Sequence, residues 1–296
     1  MRLWTVPLAL LLLGVGGCTA PVAHLRSEGT QVSPAPAAPA APAVPGAPAP
    51  SAARRPPPID PAELAAKLAA IQPQWPRSRY PVAPAARHIN CRRVKCVALT
   101  YDDGPGGYTG QLLDILARHH ARATFFVLGQ KVAEDGPHTL RRMVSEGHEI
   151  GNHTWSHAQL TALSDAGIRG ELGRTQGIVH HVTGRWMTLM RPPYGATNKR
   201  VAAVAHRKGL AQILWDVDTM DWRDRDSLIV TQRATTVTPG AVVLMHDIHS
   251  TTVEAAAQVL DLLALRGYTF VTLSELYGGP LIPGRVYAGE AGPAGR

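Results

Sequence analysis

The chain has 296 residues, 45% of them hydrophobic, and a formal net charge of +8. That is the composition of a globular protein, with length for one large α/β domain plus extensions. Residues 1–90 hold eight Lys/Arg against three Asp/Glu, a net +5, which leaves only +3 on residues 91–296; a basic groove loses its main support and no nucleic-acid partner is expected.

The chain opens MRLWTVPLALLLLGVGGC, residues 1–18. One arginine precedes an apolar run of about a dozen residues, short for a ~30 Å hydrocarbon core and suited to a signal peptide. Its end, Val15-Gly16-Gly17-Cys18, resembles a bacterial lipobox, which makes Cys18 the candidate for lipidation. An ordinary cleaved signal with a chance cysteine is the alternative. The expected location is therefore outside the cell: the outer face of the cytoplasmic membrane through a lipid anchor, or secreted.

Residues 19–90 form a linker rich in Pro and Ala, as in SPAPAAPAAPAVPGAPAP. Without apolar periodicity it reads as a disordered spacer, roughly 3.1 Å per residue where it is polyproline II. A short helix is predicted around Pro61–Ile71, with Asp60 as its cap. Three cysteines are odd for an exported chain; with Cys18 set aside, Cys91 and Cys96 remain as a disulfide candidate, two free buried thiols being the alternative.

From residue 91 to about 280 the texture becomes that of a folded domain. Apolar runs at Val97–Tyr101, Thr124–Leu128, Glu149–Asn152, Thr188–Arg191, Gln212–Val217, Val242–Met245 and Thr269–Leu273 read as buried strands. Helical patterns lie between most of them, among them GQLLDILARHH, PHTLRRMVSEG, NKRVAAVAHRKG and TTVEAAAQVLDLLALRG. Residues 281–296 read as a flexible tail. Strand alternating with helix predicts a parallel α/β fold. Polar residues cluster just after the strands, as only a barrel mouth would gather them, so an irregular (β/α)7–8 barrel is expected.

Within NHTWSH, residues 152–157, His153 and His157 are four apart and would share one side of a helical turn starting at Thr154. Asp103 would complete a three-ligand set with room for water and substrate. The adjacent Asp102 could then stay a free carboxylate acting as general base. The bland alternative has one aspartate capping the next helix and the other solvated. The glycines from Gly104 to Gly110 do not fit G-x-G-x-x-G, since Thr109 stands where the third glycine belongs, so a dinucleotide site is rejected.

Five segments in order, TYDDGP (100–105), HTWSH (153–157), RPPYG (191–195), DTMDW (218–222) and VVLMHD (242–247), resemble the motifs of NodB-homology polysaccharide deacetylases, carbohydrate esterase family 4. The resemblance spans roughly Val94 to Tyr277. It implies Asp103, His153 and His157 as ligands of one divalent ion (zinc, with cobalt or nickel as other candidates) and Asp102 as the base acting on metal-bound water. It further implies that Arg191 orients that base and that His246 is the general acid, held by Asp218. Tyr194 would lend its backbone N–H to the oxyanion, while Trp222 and Leu244 would enclose the acetyl methyl. His249 and the methionines Met187, Met190 and Met220 receive no role.

The activity so implied is removal of N-acetyl groups from a cell-wall polysaccharide, with peptidoglycan amino sugar preferred because a Pro-Ala tether would reach the polymer nearest the membrane. Chitin oligomers or acetylxylan are the alternative substrates, and a non-catalytic glycan-binding lipoprotein is the alternative function. A monomer is expected.

Overall fold

The strand β1 (Lys95–Asp102, KCVALTYD) is buried at every residue after Lys95, the pattern of a central strand covered on both faces. It pairs in parallel with β2 (Thr124–Val127), β7 (Val242–His246) and β8 (Tyr268–Phe270). With β3 (Glu149–Asn152), β4 (Leu189–Met190), β5 (Ala211–Ile213), β6 (Val217–Asp218) and β9 (Val286–Tyr287) it forms a parallel sheet ordered β6-β7-β1-β2-β3-β4-β5-β9, with β8 set beside β1. The sheet curls into an incomplete barrel, as expected. The computed structural model describes residues 83–85, 87–134 and 136–289, all within one compact unit, Lys67–Arg296. Cys18, the signal segment and the helix expected around Pro61–Ile71 lie outside the described residues.

The period of two along β1 separates two layers of core. Val97, Leu99 and Tyr101 face the helices, in a cluster with Phe125, Leu140, Val243 and Leu263. Cys96 and Ala98 face the interior of the curl, among Phe126, Leu189, Ile213 and Val242. Thr100 and Asp102 continue that interior row, so β1 turns polar inside the barrel only at its carboxyl end.

The helices are α1 (Thr109–Arg118), α2 (Gly129–Glu134), α3 (Pro137–Ser145), α4 (Asp165–Thr183), α5 (Lys199–Arg207), α6 (Asp221–Asp224), α7 (Ser227–Ala234), α8 (Ser250–Leu265) and α9 (Leu273–Tyr277). The expected patterns at α1, α3, α5 and α8 all form helices. The sequence pattern did not reveal α4, whose Gly167, Gly170, Gly173 and Gly177 all oppose helix. It forms because Ile168, Leu172 and Val179 bury one face and Ser164 accepts the Gly167 N–H at its start.

Three boundaries differ from expectation. The single run Gln212–Val217 is two strands: Arg191 takes the carbonyls of Ile213 and Leu214, and residues 214–216 pass from β5, near one end of the open sheet, to β6 at the other. Residues 281–289 are not a tail, because β9 pairs in parallel with β5 through Gln212–Val286 and Ile213–Tyr287. Residue 87, expected to lie in the linker, already packs on the folded domain, since Arg87 donates to both carboxylate oxygens of Glu275, at 2.9 and 2.7 Å, and to the Phe270 carbonyl. Glu275 is also the third residue of a capping box with Thr272 that starts α9. Cys91 and Cys96 are joined in a disulfide, with Cα atoms 5.4 Å apart, beside this anchorage.

Gly151 in β3 tests the packing, because a Cβ there would run into the Phe126 ring. Gly151→Ala is expected to lower stability by about 1–3 kcal/mol, the usual cost of overpacking, measured from the urea midpoint.

Candidate metal and proton-transfer site

The register of adjacent strands assembles the site. Asp102 at the end of β1 lies opposite His246 at the end of β7. Asn152 at the end of β3 lies opposite Met190 in β4, so His153 and Arg191, one residue on, are neighbours. All four stand at carboxyl ends of parallel strands, where barrel folds gather their polar groups.

Arg191 is fully buried. Its Nη1 donates to Asp102 Oδ1 and Thr100 Oγ1, both at 2.8 Å, and its guanidinium lies 4.3 Å over the Phe126 ring. Asp102 is therefore fixed on one oxygen by a cation. Its other oxygen faces the His153 imidazole at 3.7 Å.

Asp103 turns out of the strand with φ of 71°. His153 Nε2 and His157 Nε2 stand 3.4 and 3.5 Å from its Oδ1. The helical turn expected from Thr154 does not form. Residues 154–157 make a strained loop, with Thr154 at φ 73° and His157 at φ 59°, and it is this pair of left-handed residues that brings the rings together. Glu171 of α4 holds the loop, accepting from the N–H groups of Trp155 and Ser156 at 2.9 Å each. Nothing in the spacing of Glu171 from the histidines points to this role.

The three side chains fit a divalent ion. Ligand bonds of about 2.0–2.2 Å in a tetrahedron put donor atoms about 3.4 Å apart, the separation seen between Asp103 and each imidazole. Asp103 Oδ1 is buried, and no donor reaches it in hydrogen-bond geometry. His153 Nδ1 is bonded to the Arg191 carbonyl at 2.8 Å, which can only accept, so Nε2 presents its lone pair to the cluster. Burial favours the neutral Asp103 carboxyl, but the facing His153 imidazole, with His157 and His246 nearby, outweighs it and holds its pKa down, at about 2. Burial depresses His157, although Asp103 pulls the other way. An ionised carboxylate and a neutral imidazole are the ligating forms.

On the other side stands His246, and here the expected partner is corrected. Its Nδ1 bonds Asp221 Oδ1 at 2.8 Å; Asp218 turns back on its own chain and accepts from the Met220 N–H. Met220, at φ 53°, starts α6 and rotates Asp221 inward to complete burial. Asp221 also accepts from the His246 N–H and from Thr252, both at 2.7 Å. DTMDW offers two acids, and only the turn at Met220 decides between them. Burial works against the His246 imidazolium, but Asp221, with Asp102 and Asp103, raises its pKa to about 9.

Leu244 is buried in β7, while Trp222 and Tyr194 are 46% and 68% exposed. Trp222 follows Asp221 at the start of α6, and Tyr194 sits in a single helical turn at φ 62°. The Tyr194 hydroxyl lies 3.2 Å from His157 Nδ1. Among the described residues, no helix is long and apolar enough to cross a membrane.

Residues 89–213 match the family model described as polysaccharide deacetylase. The chain is similar to peptidoglycan-N-acetylglucosamine deacetylase PgdA of Listeria monocytogenes (42% identity, 77% of this chain and 49% of PgdA). It is also similar to peptidoglycan-N-acetylmuramic acid deacetylase PdaC of Bacillus subtilis (41%, 70% and 44%). It thus spans about half the length of these curated relatives. A solved structure described as T48 deacetylase with substrate superposes at a TM-score of 0.65 with 42% identity, over 67% of this chain and 99% of that one.

The two acids of DTMDW can be told apart by titration. In Asp221→Asn the His246 pKa is expected to fall from about 9 to its ordinary 6.5 or below, since burial is then opposed by less negative charge, whereas Asp218→Asn leaves it near 9 in histidine NMR titrations.

Proposed function

The chain belongs to the polysaccharide deacetylase family, and on that premise we propose that it is a metal-dependent hydrolase removing N-acetyl groups from a cell-wall polysaccharide, by preference the amino sugar of peptidoglycan. The observation that carries the reading is the placement of Asp102 and His246 in register across β1 and β7, beside the Asp103–His153–His157 cluster. The similarity to PgdA and PdaC, whose names specify peptidoglycan sugars, supports the substrate.

Asp103, His153 and His157 would hold the ion, with zinc first and cobalt or nickel as substitutes. When bound, such an ion supplies Lewis acidity to a water and to an acetyl carbonyl. The protein's own groups account for the protons. Asp102, oriented by Arg191, accepts a proton from the attacking water as the new C–O bond forms. The negative charge that develops on the former carbonyl oxygen meets the backbone N–H of Tyr194. His246, charged at neutral pH, gives its proton to the amide nitrogen as the C–N bond breaks, releasing acetate and a free amine. Asp221 stabilises the imidazolium before transfer and sets its orientation. Leu244 and Trp222 line the acetyl methyl. A non-catalytic glycan-binding role has no need of the Asp102–Arg191 and His246–Asp221 pairs.

The leader and the Cys18 lipobox belong to the same reading: an exported protein, held by a lipid at the membrane's outer face or secreted, and acting as a monomer on polymer nearby.

Purified protein is expected to release acetate from peptidoglycan, read by enzymatic acetate assay and product mass, and to lose this on chelation. Asp102→Asn and His246→Gln are each expected to cost about 10²–10⁴-fold in rate, the usual weight of a general base or acid. Acetate release from chitin oligomers or acetylxylan but not peptidoglycan would redirect the substrate, and release from none would overturn the enzyme.

The pH profile has a definite sign. His246 must start protonated, so the rate falls as pH rises toward about 9; an ion that offsets the charge of Asp103 brings this limb below 9. A kcat still rising through pH 10 would remove His246 as the acid.

A further inference from the structure

The two ligand imidazoles receive different support from one short segment. His153 donates Nδ1–H to the carbonyl of Arg191, and three residues later the hydroxyl of Tyr194 faces His157 Nδ1 at 3.2 Å. A carbonyl oxygen only accepts, which fixes the His153 tautomer. A hydroxyl can accept or donate, so His157 keeps a partner in either tautomer, and with Nδ1–H donated to the hydroxyl its Nε2 lone pair faces Asp103.

The position of Tyr194 is built rather than incidental. Pro192 and Pro193 lead into a single turn closed by Gly195 N–H to the Pro192 carbonyl and Ala196 N–H to the Pro193 carbonyl. Tyr194 and Gly195 then both take left-handed backbone, at φ 62° and 65°, a conformation a bulky residue adopts only when its surroundings impose it. Gly195 packs against the Trp215 ring, where a Cβ would come within 3.2 Å. The Tyr194 ring is left standing edge-on to His157, with centroids 4.7 Å apart, although 68% of the residue is exposed.

We propose that the Tyr194 side chain is a positioning residue for the metal site: its hydroxyl accepts the Nδ1–H of His157 and holds the ring with Nε2 turned toward Asp103. This role is separate from the oxyanion contact of its backbone N–H, and it rests on the metal-dependent reading above.

Tyr194→Phe keeps the ring and the backbone and removes only the acceptor. Zinc affinity, measured on full-length protein by competition with a chromogenic chelator, is expected to weaken about tenfold or more, the usual effect of losing a ligand's outer partner. The melting temperature of metal-free protein is expected to stay unchanged. Affinity equal to that of the unmodified protein, or a loss of affinity that merely follows a lower metal-free melting temperature, overturns the proposal. An unmodified protein that binds no zinc, cobalt or nickel overturns the metal-dependent reading as well, which separates the two failures.

Discussion

A guanidinium sealed inside the barrel organises this molecule. Arg191 has no exposed surface, so its charge must be met by groups around it. Asp102, Thr100 and the carbonyls of Ile213 and Leu214 do so, with the Phe126 ring beneath. Each contact has a second consequence: the first fixes the candidate base, and the carbonyl pair ends β5 and sends the chain across the gap to β6. Removing one member of such a buried pair typically costs about 3–5 kcal/mol, because the other charge is left uncompensated. The same residue's own carbonyl supports His153. The break in the sheet, the orientation of the candidate base and the tautomer of the candidate ligand His153 thus share one side chain and one peptide unit.

Backbone strain is distributed accordingly. Among the described residues, the non-glycine positions with positive φ are Asp103, His120, Thr154, His157, Tyr194, Met220 and Arg225. All but His120, which follows α1, lie in the loops that carry the candidate ligands, Tyr194 or the Asp221 turn. Residues in such conformations cost on the order of 1–3 kcal/mol each and persist only where packing and hydrogen bonds over-determine them. Here those constraints are visible: Glu171 under residues 155–156, Asn152 accepting from Thr154 N–H, and the turn bonds around Tyr194.

The site also divides its titrating groups by environment. Asp103 is held ionised by facing imidazoles, and His246 is held protonated by a fully buried carboxylate. Asp247, next in sequence to His246, goes the opposite way: complete burial raises it to about 7, with Thr109 as its hydroxyl partner and the charges of Asp103 and Asp102 adding to the rise. One barrel rim therefore holds two acids whose pKa values are pushed in opposite directions, beside a cationic imidazole.

The sequence alone determined the parallel α/β architecture, because alternating β-rich runs and amphipathic helical patterns leave few other folds. It also pointed to the candidate ligands Asp103, His153 and His157 and the candidate base Asp102, through the four-residue spacing of the histidines beside the paired aspartates, while Arg191 and His246 came from the order of the five family-like motifs. Three things were settled only in the tertiary structure. The glycine-rich α4 owes its existence to burial that no local pattern records, and with it comes Glu171 under the ligand loop. The break between β5 and β6 follows from carbonyls drawn to Arg191, a residue more than 20 positions away. Asp221, not Asp218, meets His246 because a single left-handed residue, Met220, rotates the chain between them. Composition and period report which residues prefer burial; they do not report which way one peptide turns, and that turn decides which carboxylate reaches the imidazole.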